Sequence, residues 1–359
     1  MAVAPNNVQS IPGFYWLRAI MSVAVVAWHI NTFGTSLLFS KTDYRNHVFV
    51  FSDLINFHVL LLAVPIFFLI SCYLYARKNP SVEYCWRRVA RFAVLAVFLT
   101  IAGIAWYDGC HGLSLLRPRS LQAFLTTVIS AAGTQYYFFV SLMILSVVTH
   151  IASKLSTRVN SILFILACAL IFALAKAAIA FSLPALIAFW SPMNFMPYPF
   201  AAIVMARNEA RLASGNSRLL IITSFFAAAI LISLYEWRFD VSGIFFDIQA
   251  FAMPAYTRLS LVFLSISLLA AVMTKRIRTN RIIEFMSGQS MALYCLHPFI
   301  IIFAYRYITF PKFQIPSFLF ESGRITAITL ACYTVSLLYG NLRKAALRAL
   351  NNKRHVSIV

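Results

Sequence analysis

The sequence predicts an all-α polytopic membrane protein of about ten transmembrane helices, with both termini on the cytoplasmic side. Two observations carry that expectation. Of 359 residues, 61% are hydrophobic and only 11% are charged, against about 25% charged in an ordinary soluble domain. A water-soluble globule of this size would lack the polar residues to cover itself. The apolar residues also fall in runs of roughly 20, the length needed to cross a hydrocarbon core of about 30 Å, and basic residues gather in the short connections between the runs.

Taken in order, the first span is expected over residues 11–33. A wetter connection with Lys41, Asp43, Arg45 and Asp53 leads to a second span over 57–75, ending at Arg77 and Lys78. Asn79-Pro80 stops that helix, because proline has no amide proton and its ring crowds the preceding turn. Arg87, Arg88 and Arg91 open the third span, which runs to 106; residues 107–120 read as a loop through Asp108, Gly109, Gly112 and Pro118. Segment 121–131 is apolar but too short to cross, an interfacial or re-entrant piece before a fourth span over 136–152. Lys154 and Arg158 separate this from a fifth span over 162–181. Residues 182–199 read as a loop holding Pro184, Pro192, Pro197 and Pro199, with Trp190 and Tyr198 as interface anchors. A short sixth span ends near Arg207, and a polar segment over 207–218 precedes the seventh, 219–235. An outer loop over 236–258 carries Glu236, Asp240 and Asp247 before the eighth span, 259–273. Lys275, Arg276, Arg278 and Arg281 precede the ninth and tenth spans, 291–308 and 325–342, and a basic tail follows. No stretch is polar and long enough for a separate soluble domain, residues 1–13 lack the pattern of a cleavable signal, and residues 1–359 read as one membrane domain.

The net charge is +20. In a soluble protein that would suggest nucleic acid, but short basic clusters between apolar spans argue against a nucleic-acid partner. With the N-terminus inside, Lys and Arg favour the cytoplasmic side by about two to one, and one span more or fewer would scramble the bias. Such clusters suit anionic lipid head groups or a phosphorylated cofactor. The six cysteines show no CxxC spacing, so neither a disulfide framework nor a metal site is expected.

Ionisable groups within spans are costly and therefore candidates for function. Arg18 and His29 are eleven positions apart on the first span. At about 100° per residue that is three turns and roughly 20°, so both point to one side, about 16 Å apart along the axis. Arg18 reads either as a snorkelling cation or as an anion-binding group, and His29 either as an interhelical hydrogen-bonding residue or as an acid–base group. Lys176 lies mid-span or at a span edge, and His297, beside Pro298, either satisfies freed backbone or contacts substrate. No Walker P-loop, HExxH or GxSxG occurs, and no row of carboxylates runs through the spans as ion-coupled transport often requires. The outer-loop carboxylates Asp108, Glu236, Asp240 and Asp247 suit either a hydroxyl-rich acceptor or plain solvation.

Several segments together resemble one family. Arg18, ten residues, then His29 resembles the opening motif of the membrane acyltransferase-3 family. Phe67-Phe68-Leu69-Ile70-Ser71-Cys72-Tyr73 is similar to its Phe-Phe-x-x-Ser-Gly-Tyr/Phe segment, and Arg88-Val89-Ala90-Arg91 to its Arg-x-x-Arg. Tyr137-Phe138-Phe139 resembles its Trp-Phe-Leu, and Ser287-Gly288-Gln289-Ser290 through Tyr294-Cys295-Leu296-His297-Pro298 its Gly-x-x-Ser…Tyr-x-x-His-Pro. The matches follow the family's order over nearly the whole chain; Cys72 stands where the family has glycine and Tyr137 where it has tryptophan.

The resemblance implies an O-acyltransferase of the bacterial inner membrane that moves an acyl group, commonly acetyl from acetyl-CoA, onto a hydroxyl of a glycan or lipid-linked sugar. By position it implies His29 as catalytic base or acyl relay, with Arg18, Arg88 and Arg91 contacting the donor. Ser71, Tyr137, Lys176 and His297 are the further candidates for substrate contact. Expected partners are membrane lipids and the carbohydrate acceptor, with acetyl-CoA as co-substrate and no metal. A transporter or flippase with Arg18, His29 and Lys176 lining a pathway is the competing class, and a non-catalytic scaffold or sensor the third.

Overall fold

The computed structural model describes residues 11–30, 55–112, 121–183, 188–213, 215–236, 256–274, 277–307 and 317–356. Among the described residues every regular element is a helix. Helix α1 (Pro12–Ile30) opens with a proline, at a position whose amide has no helical acceptor to lose. Helix α2 (Asn56–Arg77) starts irregularly: Asn56–Leu60 winds as a π turn before the regular run Ala63–Arg77. Pro65 accounts for the break at Leu61 and Leu62 between the two runs, since its missing amide and its ring act on the Leu61 carbonyl four residues back. Helix α3 (Val82–Cys110) begins after the Asn79-Pro80 break, where the Ser81 side chain accepts from the Tyr84 amide at 3.2 Å.

The short α4 (Leu121–Ser130) leads to α5 (Tyr137–Ala152) and α6 (Thr157–Phe181). Asn160 closes the turn between α5 and α6 by donating to Ala152 O at 3.0 Å. Beyond a 3-10 turn at Pro192–Phe195 come α7 (Pro197–Arg207), α8 (Glu209–Ala213), α9 (Gly215–Glu236) and α10 (Leu259–Val272). Asn280 caps α11 (Arg281–Gly288), and α12 (Ser290–Tyr307) and α13 (Ser317–Val356) complete the chain.

Among the described residues, six helices are long and apolar enough to cross a membrane: α1, α2, α3, α6, α9 and the Ser322–Ala345 portion of α13. The expected ninth span is one arm of a broken pair, α11 and α12, inclined at 61°, which makes seven if the pair crosses as one. Helices α5 and α10 are apolar but shorter; at 1.5 Å per residue they reach about 24 and 21 Å, below the hydrocarbon thickness of about 30 Å. The fourth, sixth and eighth expected spans thus correspond to short helices that bury much of their length inside the bundle.

The bundle has a centre and a rim. Of the most apolar stretch of each helix, 72% is buried in α2 and 61% in α1, against 11% in α9. The rim helices turn Val94 and Phe98 (α3), Ile165 and Leu166 (α6), and Leu220 and Leu231 (α9) outward, an apolar surface suited to hydrocarbon and not to water. Helix α1 is the hub, packing against α2, α10, α11, α12 and α13. Gly13 permits its close approach to α10, where a Cβ would lie 2.2 Å from Val272 O.

Some expected loop residues are in helices. Asp108 and Gly109 belong to α3, and Asp108 is buried; a helix of 29 residues extends about 43 Å, so it outruns the hydrocarbon before ending. Pro197 and Pro199 sit in the first turn of α7, where missing amides cost no hydrogen bond, and Tyr198 is buried rather than interfacial. Glu236 ends α9 and accepts from the Ser260 amide at 3.0 Å and Ser260 Oγ at 2.5 Å. It ties α9 to α10 instead of facing a loop. Lys41, Asp43, Arg45, Asp53, Pro118, Pro184, Asp240, Asp247, Lys275 and Arg276 lie outside the described residues.

Candidate functional site

The site grows from one face of α1. Between its two ionisable groups the only hydroxyl, Ser22, is satisfied by Ala19 O at 2.8 Å. Arg18 is half-buried, and its Nη2 donates to Ser290 Oγ at 3.2 Å. The His29 ring lies 5.0 Å from that of His297, centre to centre, with 33° between planes. Ser290 and His297 both belong to α12, so the two polar groups of α1 turn toward one partner helix, as their eleven-residue spacing requires. On α12, Ser290, Tyr294 and His297 are spaced four and three residues apart, which puts them on one face.

Two cavities lie along this contact. The first, about 190 Å³, is lined by Arg18, Ser71, Ser290, Phe67, Phe138 and Tyr294 among others. Its Ser71 hydroxyl accepts from Arg88 Nη2 at 2.5 Å, while Arg88 Nε donates to Ser146 Oγ at 3.0 Å. The Arg88 guanidinium also lies 5.2 Å from the ring centres of both Tyr75 and Phe92. Arg88 therefore acts on this cavity through Ser71 and does not line it. Arg91, three residues on, is exposed.

The second cavity, about 200 Å³, is lined by His29, Trp28, Gln135, Tyr137, Tyr256 and Tyr294 among others. Its walls are mostly aromatic: Tyr137 meets Phe189 edge-on at 5.5 Å and lies 6.2 Å from Tyr256, centre to centre. Behind His29, His297 is fully buried, with Nδ1 3.0 Å from Leu293 O. A carbonyl accepts only, so Nδ1 carries the proton and Nε2 the lone pair. That Nε2 has no hydrogen-bond partner among the described residues. The contact falls one residue before the carbonyl that Pro298 deprives of its amide.

Arg18, Ser71, His29, Tyr137 and His297 are thus brought to one continuous region, whereas Lys176 lies elsewhere. Its ammonium sits 5.8 Å from the Phe172 ring and 5.9 Å from the Tyr235 ring, and it lines neither cavity.

A family model described as an acyltransferase domain matches residues 11–340. The chain belongs to the acyltransferase-3 family. No curated protein and no solved structure matches it. This acyltransferase-3 member is a multi-pass membrane acyltransferase, and the matched stretch contains both cavities. Ser290, Tyr294, Gln135 and Tyr256 were not singled out from sequence as site residues. The 290/294/297 spacing held a signal for the first two. Gln135 and Tyr256 lie at helix edges with no periodicity to mark them.

Proposed function

We propose that this enzyme moves a short acyl group, acetyl, from acetyl-CoA on the cytoplasmic side to a hydroxyl of a bacterial surface or secreted glycan. In this reading it works in the inner membrane, with both termini inside and ten spans, three of which are the short helices α5, α7 and α10. The observation that carries the reading is the succession of two cavities along one face of α1, one at Arg18 and one at His29. The Arg18 guanidinium at Ser290 and the exposed Arg91 suit the donor's phosphates, because guanidinium groups bind phosphate oxygens bidentately. The rise from Arg18 to His29, about 16 Å, is comparable to a pantetheine arm, so the thioester can be offered to His29.

At His29 the neutral imidazole takes the acceptor hydroxyl's proton as the hydroxyl oxygen adds to the thioester carbonyl carbon. The C–S bond then breaks, and the departing thiolate recovers the proton from His29. His297, 5.0 Å behind, holds the ring in place. Trp28, Tyr137 and Tyr256 give the acceptor broad apolar walls with polar tips, which suit a sugar ring. Lys176 has no part in this scheme.

The test compares glycans of the host by mass spectrometry with the wild-type gene, with His29→Ala and with the gene deleted. The expected result is loss of acetyl ester in both altered strains, while purified His29→Ala protein still binds acetyl-CoA. Full acetylation by a folded His29→Ala protein would end the proposal. Movement of an unmodified acceptor across the membrane, with ester content unchanged on deletion, would favour the transporter.

A further inference from the structure

Among the described residues, the two cavities share a single lining residue, Tyr294. Its ring is buried and wedged: Phe138 lies 4.5 Å away on one side, Phe139 meets it edge-on at 5.9 Å, and His297 lies at 5.7 Å. Its hydroxyl donates to Gln135 O. That carbonyl sits on a turn made rigid by its own bonds, Thr134 Oγ1 to Ala131 O at 2.8 Å and the Tyr136 amide to Thr134 Oγ1 at 3.2 Å. Ala131 and Gly133 there adopt φ of 50° and 71°. A planar ring latched by one hydrogen bond across the boundary of two cavities has the form of a partition.

Resting on the acetyl-CoA reading above, we propose that Tyr294 is the partition between donor and acceptor cavities. The incoming thioester must displace it to reach His29. While latched, it keeps the thioester from His29 and from water in the acceptor cavity. Without the partition, His29 takes a proton from water instead of from a sugar. The water oxygen then adds to the carbonyl carbon, the C–S bond breaks, the thiolate recovers the proton and acetic acid is released. Tyr294 thus separates transfer from wasteful hydrolysis, a task that water exclusion performs at sites handling reactive esters.

The experiment measures release of free CoA thiol from acetyl-CoA by purified protein without acceptor, alongside acetyl ester on host glycans. It uses wild type, Tyr294→Phe, Tyr294→Ala and Tyr294→Ala combined with His29→Ala. Acceptor-free hydrolysis is expected to rise by about tenfold in Tyr294→Ala and by a smaller factor in Tyr294→Phe, which keeps the ring but loses the latch. The rise is expected to vanish in the double variant. Unchanged hydrolysis in Tyr294→Ala with acetyl-CoA binding intact would overturn the partition, whether glycan ester persists or is lost. If Tyr294→Ala fails to fold, unchanged hydrolysis in Tyr294→Phe overturns it. Failure of wild-type protein to bind acetyl-CoA would instead strike the donor reading, and the partition with it.

Discussion

Replacing Arg88 by methionine keeps most of the stem but removes a guanidinium that holds two helices and a cavity wall together. The side chain donates to Ser71 Oγ on α2 and Ser146 Oγ on α5 and lies against the Tyr75 and Phe92 rings. Hydrogen bonds to charged groups contribute about 1.5–3 kcal/mol each in soluble proteins, but side-chain bonds in a bilayer average nearer 0.6 kcal/mol. Each cation–π contact adds about 0.5–1 kcal/mol. The lower figures bring the loss to about 2 kcal/mol. The higher ones overstate it, because Ser146 already donates to Leu142 O at 2.6 Å and is not left unsatisfied. The expected destabilisation is therefore about 2–3 kcal/mol, measured by reversible denaturant unfolding in detergent micelles. A double-mutant cycle of Arg88→Met with Ser146→Ala should show a coupling of about 1 kcal/mol. An Arg88→Met protein within about 0.5 kcal/mol of wild type, or a coupling of zero, would refute the account of Arg88 as the tie between α2 and α5.

Three further outcomes follow from the same geometry. Gly13→Val should loosen α1 from α10 and cost about 1–3 kcal/mol in the same unfolding assay, because the new side chain meets Val272; a neutral effect would show that the two helices slide apart freely. Glu236→Ala leaves the start of α10 without its acceptor and should cost about 1–3 kcal/mol, whereas Glu236→Gln, which keeps one acceptor oxygen, should cost less. His297→Ala should lower acetyl-transfer turnover by about 100-fold while the acetyl-CoA dissociation constant stays within about twofold, as expected of a residue that only positions His29; a parallel loss of donor affinity would instead mean that His297 contacts the donor.

Much of the molecule was legible from local pattern. The broken helix at Asn79-Pro80, the short apolar piece before α5 and the long apolar α6 all follow from hydropathy and proline chemistry along a few consecutive residues. The pairing of Arg18 and His29 on one face followed from helical period alone. What local pattern did not show has a different cause. Hydropathy scores how apolar a segment is, not whether lipid or protein covers it, so it did not show that α5, α7 and α10 are short helices packed inside the bundle. Asp108, Tyr198 and Glu236 looked like loop or interface residues because polar and aromatic residues usually mark helix ends, yet each is buried in the folded chain.

The sequence by itself determined that this is a helical membrane protein, and that one helix places a cation and an imidazole on a common face. Those properties depend on composition and on a 3.6-residue repeat, both readable along the chain. Only the tertiary structure decided what that face meets. Ser290 reaches Arg18 across 272 positions of sequence, His297 comes to rest beside His29, and Tyr294 stands between the two cavities. The crossing of α1 with α12 sets those contacts, and a crossing is fixed by how the side chains of both helices interlock, which neither helix encodes alone.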